Sequence, residues 1–183
     1  MRLFRSFRDD RALLARSGAY ADGLMVEPSA VDVDWLSRVG TRGDADHARW
    51  ELRYLRRAVG ILVAQRDALD DRTHSEVLRA LIQRMDRDPR VDAELRELAD
   101  RQFNARLSAY RDAFTSRGHG TPTLRVAQNL LAFSGGPIRA ADPVVQEGAA
   151  LVTGYLSEAN EALRRAFGTA ELPDDVAPSA LVR

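Results

Sequence analysis

The chain has 183 residues, with no cysteine and no lysine, so all 27 basic charges are arginine; they match 27 carboxylates for a formal net charge of zero. That inventory excludes a Schiff base, a lysine-bearing phosphate loop, a thiol nucleophile, a thiolate metal cage and any disulfide. The length suits a single domain, and the balanced charge argues against a dedicated nucleic-acid binder, which carries a basic excess.

Residues 1–44 read as an N-terminal arm of short helices. Arg2, Arg5 and Arg8 interleave with Leu3, Phe4 and Phe7, a pattern for packing two phenylalanines onto the body or touching a surface briefly. Asp9 and Asp10 follow with no apolar run behind them, so no secretory signal is expected. Short helices are predicted over 9–20 and 30–39, the second opened by the capping-box spacing of Ser29 and Asp32.

Residues 45–167 read as a bundle of about five principal helices, near 45–69, 74–87, 89–117, 122–134 and 143–167. Thr73 and Glu76 repeat the capping-box spacing, placing His74 at the first helical turn. Asp88-Pro89, Thr121-Pro122 and Asp142-Pro143 each set an N-cap residue before a proline at the first helical position. Gly135-Gly136-Pro137 reads as a helix stop, and Gly148 as a place where a neighbouring helix can approach closely. The 89–117 segment drifts from Val91, Leu95 and Leu98 to Phe103, Leu107, Tyr110 and Phe114, which suits a supercoiled partner. After Gly168 the helical period is lost among Pro173, Asp174, Asp175 and Pro178, so 168–183 reads as a disordered tail. The predicted fold is all-α. No stretch approaches the roughly 20 apolar residues of a membrane span.

The helix near 45–69 should be central, packed against 89–117 and 143–167. Leu52, Leu55, Val59, Leu62 and Leu69 form one apolar stripe, while Trp50, Tyr54 and Ile61 lie on a second face. The sector holding Arg49, Arg53, Arg56 and Arg57 reads as polar and solvated. Two-sided cover by neighbouring helices explains such a helix; so does a protomer interface anchored on Trp50 and Tyr54 and steered by those four arginines.

Three further sets bear on chemistry. His47 and Glu51 stand at i,i+4 and are the one His/carboxylate pair at clean helical spacing, fit for a metal, a proton shuttle or a plain ion pair. The Glu-x-x-His repeats of a di-iron bundle are absent. Arg66, Gln102 and Arg106 fall on apolar sides of their helices, where they snorkel to the edge or turn inward to bind a small anion, with Asp67, Asp70, Asp71 or Glu147 as counter-ions. His119 sits in a glycine-flanked loop without a nucleophile elbow beside it.

The expectation is a non-enzymatic helical interaction or adaptor protein, self-associating or binding another protein, cytoplasmic, without a cofactor and without nucleic acid. The alternative is a small-anion- or metal-binding helical protein, or an enzyme, using Arg66, Gln102 and Arg106 or His47 and Glu51.

Overall fold

The computed structural model describes residues 2–67, 70–117 and 120–168, with side chains from Asp9 onward. Leu69, His119 and the tail beyond Gly168 lie outside the described residues, as do the side chains of Phe4 and Phe7. Among the described residues there are seven α-helices and no strand: α1 (Arg2–Leu24), α2 (Ala30–Val39), α3 (Ala45–Asp67), α4 (Asp71–Asp86), α5 (Arg96–Thr115), α6 (Pro122–Ser134) and α7 (Pro143–Phe167). A 3-10 turn, Ala93–Leu95, leads into α5. No helix among these residues is long and apolar enough to cross a membrane.

Local chemistry starts and stops most of these helices as expected. The side chains of Ser29, Thr121 and Asp142 accept the N–H of Asp32, Leu124 and Val144. Gly135 closes α6 at φ 83°, where glycine avoids the Cβ penalty, and the Gly136 N–H returns to the Leu131 carbonyl at 2.8 Å. Asp32 does not reciprocate its cap; its carboxylate accepts the Tyr155 hydroxyl at 3.2 Å and ties α2 to α7.

Two helix starts differ from the sequence reading. α4 is capped by Asp70, which accepts the Thr73 N–H at 2.7 Å, so Thr73 and His74 lie inside the helix. Asp70 wins because its carboxylate satisfies both the Thr73 amide and the Thr73 hydroxyl. The 89–117 helix is not continuous. Asp88 turns inward to meet the buried guanidinium of Arg57, Asp92 caps the 3-10 turn, and α5 begins only at Arg96. The apolar drift in that segment marks this break rather than a supercoil.

The first helix is longer than the predicted 9–20, because its C-terminal half belongs to the core. Tyr20, Ala21 and Leu24 are buried, and the Tyr20 hydroxyl donates to the Gly60 carbonyl at 2.8 Å. α1 runs beside α4 in the same direction, joined by Asp10–Arg72 near one end and Asp22–Arg84 near the other.

α3 is central. It packs against α2, α5 and α7 and also meets α1, α4 and α6, which gives both of its apolar faces the cover they need. Leu52, Leu55, Ala58, Val59, Ile61 and Val63 all lie in the single core. Gly148 does admit a neighbour closely: a Cβ there would stand 3.2 Å from Ala127 and 3.4 Å from Trp35.

Candidate functional site

The face of α3 carrying arginines is inside the molecule. Arg57 is 2% exposed, Arg53 9%, and the Arg56 side chain 13%. The reading of that sector as solvated is therefore corrected: only Arg49, paired with Asp46, keeps a substantially exposed side chain. Each buried guanidinium has found an anion, as charge burial requires. Arg57 donates to Asp88 at 2.9 Å, and Asp88 is itself 2% exposed. Arg90 bonds both Asp88 and Glu27, while Arg53 grips Glu27 through Nε and Nη2. Arg56 pairs with Glu158 at 2.7 Å and lies 4.7 Å from the Tyr155 ring centroid. Burial depresses the pKa of Arg57 and Arg53, and the field of Asp88 works against that depression in both.

On the next face of α3, Glu51 is 1% exposed. It accepts Arg106 Nε at 2.8 Å on one oxygen and Arg106 Nη2 on the other, a forked pair between α3 and α5. His47 Nε2 stands 3.3 Å from Glu51 Oε1. Arg106 is flanked by rings, 5.2 Å from the Tyr54 centroid and 4.5 Å from that of Phe133. Burial works against its charge, and the hydrogen bonds and field of Glu51 outweigh burial, so its pKa stands above the ordinary arginine value. The Tyr54 hydroxyl donates to Gln102 Oε1 at 3.2 Å, and burial pushes the Tyr54 pKa up.

These groups surround a cleft of about 290 Å³ between α3 and the segment leading into α5. His47, Glu51, Gln102 and Arg106 supply its polar side, and Trp50 and Tyr54 an aromatic wall. Its lip is apolar, with Leu95 55% and Leu98 43% exposed. The structure thus joins three sets that the sequence kept apart: the His47/Glu51 pair, the Trp50/Tyr54 face and the Gln102/Arg106 pair. Arg66 does not join them. It is exposed, bonded to Asp67 at 2.7 Å and to Asn160 at 3.1 Å. Nor does Arg106 use any of the counter-ions expected for it.

Among the described residues no three His, Asp or Glu side chains gather into a group able to hold a metal. Each Glu51 oxygen already accepts from Arg106, so a metal at the His47/Glu51 pair would have to compete with that forked ion pair. A spacing signal for Glu51 did exist. It stands three residues after Ala48 and four before Leu55, on the buried stripe, where an acid demands a cation. The identity of that cation, 55 residues away, had no local signal.

No family model matches the chain, and no curated protein or solved structure shows significant similarity to it. The chemistry of the cleft is the guide that remains.

Proposed function

We propose that this protein is a non-enzymatic helical binder of a small molecule, held in the cleft between α3 and α5. One observation carries the reading: His47, Glu51, Gln102 and Arg106, from two helices, converge on an aromatic-walled cleft with an open apolar lip. Its volume of about 290 Å³ lies just below the roughly 300–1,000 Å³ of small-molecule sites, and its lining sets the polar groups of His47, Glu51, Gln102 and Arg106 against an aromatic and aliphatic wall. The forked Glu51–Arg106 pair fixes the wall, so little ordering remains to be done on binding. A saturation-transfer NMR screen of small aromatic and aliphatic compounds tests it. Hits are expected for the native chain and should vanish with Leu98→Arg, which fills the mouth from an exposed position. Hits that persist unchanged in Leu98→Arg would place binding elsewhere and sink the reading.

A second reading, self-association, is favoured by the exposure of Leu95 and Leu98 beside the half-buried Trp50. Adjacent exposed leucines around an aromatic suit the apolar centre of a protein interface. Arg53, Arg56 and Arg57 are spent on internal pairs, so the lip rather than an arginine face would do the recognition. Sedimentation should then show a micromolar dimer that Leu95→Asp abolishes; a monomer at every concentration removes this reading.

A further inference from the structure

We infer that the cleft selects small monocarboxylates with an apolar body and rejects cations. The inference rests on the cleft-binding reading above and adds the chemical class of the ligand.

Of the inner acceptors of the cleft, each Glu51 oxygen already receives Arg106 and Gln102 Oε1 already receives the Tyr54 hydroxyl, so these are largely used. The donors are not. The Gln102 amide N–H groups and the Trp50 indole N–H have no partner among the described residues. The guanidinium of Arg106 keeps further hydrogens beyond its bonds to Glu51 and the Gln102 carbonyl. A ligand that fits such a surface brings acceptors, and a carboxylate brings the most in the least space.

Cations are disfavoured for two separate reasons. Aromatic rings attract cations, but here the rings already hold guanidinium groups: Arg53 lies 4.4 Å from the Trp50 centroid and Arg106 5.2 Å from that of Tyr54. Arg90 and Arg106 also line the cleft, and the carboxylates beside them, Glu27, Asp88 and Glu51, are already paired with these guanidinium groups, so an incoming ammonium would have to compete for them. Asp92 is the other carboxylate of the lining; it is exposed, and one of its oxygens caps the Glu94 N–H. A pair formed there in water would add little. The lip of Val91, Leu95 and Leu98 then takes the apolar body of the ligand.

Phenylacetate, phenylacetamide and phenethylamine share one ring and differ in the polar group, so they test the inference by NMR titration at millimolar concentrations. Phenylacetate should bind most tightly, the amide at least threefold more weakly, and the amine should not bind. Gln102→Glu removes two donors and adds a negative charge at an exposed site; it should weaken phenylacetate at least tenfold and change the amide far less. Far-ultraviolet circular dichroism confirms that the variant is folded. Amine binding equal to or tighter than that of phenylacetate overturns the inference, as does phenylacetate binding insensitive to Gln102→Glu. If the amine binds and Leu98→Arg removes it, the cleft reading survives while the carboxylate assignment fails. If none of the three binds but the wider screen yields Leu98-dependent hits, the assignment fails alone. A screen with no such hits removes both.

Discussion

A guanidinium taken out of water must keep its counter-ion, and Arg57 depends on Asp88 for this, across 31 positions of sequence. Its Nε is buried without a hydrogen-bond partner, so Asp88 is the one counter-ion it has among the described residues, with the Trp50 ring centroid 6.0 Å away. Asp88→Ala should therefore cost about 3 kcal/mol or more in chemical denaturation, because an uncompensated buried charge is left behind. Arg90, whose side chain is 31% exposed, retains Glu27 and water and adds less to the loss. The paired change Arg57→Met with Asp88→Leu should recover most of the stability, since apolar replacement of a buried pair is often neutral. Equal losses in the single and double variants would show that the pair is not what matters. At this scale the sequence does carry the signal for burial of Arg57. Trp50, Tyr54, Arg57 and Ile61 follow one another at intervals of four, three and four, so Arg57 belonged to the second apolar face all along. Its charge matches the polar sector beside it, but packing against the 86–90 turn, where Asp88 receives it, places it inside.

Among the helices, what local chemistry decides was legible, and what competes with a distant partner was not. Ser29, Thr121, Asp142 and Gly135 act within three or four residues, and each performs the expected cap. Asp70 and Thr73 compete for one helix start within the same few residues, and the carboxylate wins because it accepts two hydrogen bonds. Both bonds favour the charged form and hold the Asp70 carboxyl below its usual pKa. Asp70→Ala should accordingly cost about 1 kcal/mol and fray the first turn of α4, visible as faster amide exchange there. Thr73→Ala, which keeps the backbone cap, should cost clearly less; the reverse order would restore Thr73 as the cap. Asp88-Pro89 shows the other limit. Its local pattern is that of a helix start, yet a buried arginine on α3 holds the carboxylate and delays α5 to Arg96. That delay matters for the site, since it brings Leu95 and Leu98 to the lip of the cleft instead of into a helix–helix seam.

For the molecule as a whole, burial of the aromatic residues governs behaviour at high pH. The chain has four tyrosines, and burial raises the pKa of each: Tyr20, Tyr54, Tyr110 and Tyr155. The Tyr110 hydroxyl is fully buried without a partner, so its ionisation would be especially costly. A folded pKa raised above the unfolded value stabilises the fold below the ordinary tyrosine value near 10 and loses that contribution as pH rises beyond it. Phenolate absorbance is thus expected to climb in one step, together with loss of helical circular dichroism. A separate phenolate step near pH 10 with helicity intact would show the tyrosines to be accessible.

Periodicity and composition by themselves determined the helical class, the presence of five helices after residue 44 (though not the starts of α4 and α5) and the central place of α3, because these follow from interactions a few residues apart and from the need to cover two apolar faces. Tertiary structure alone decided the candidate site. His47 and Glu51 come from one helix, Gln102 and Arg106 from another, and their meeting depends on how two surfaces pack across more than 50 residues of chain. It also sorted the arginines, seating Arg53 and Arg57 beside buried acids and leaving Arg66 in solvent. A sequence pattern gives the direction of each side chain from its own helix; only packing supplies the counter-charge that makes burial of that side chain tolerable.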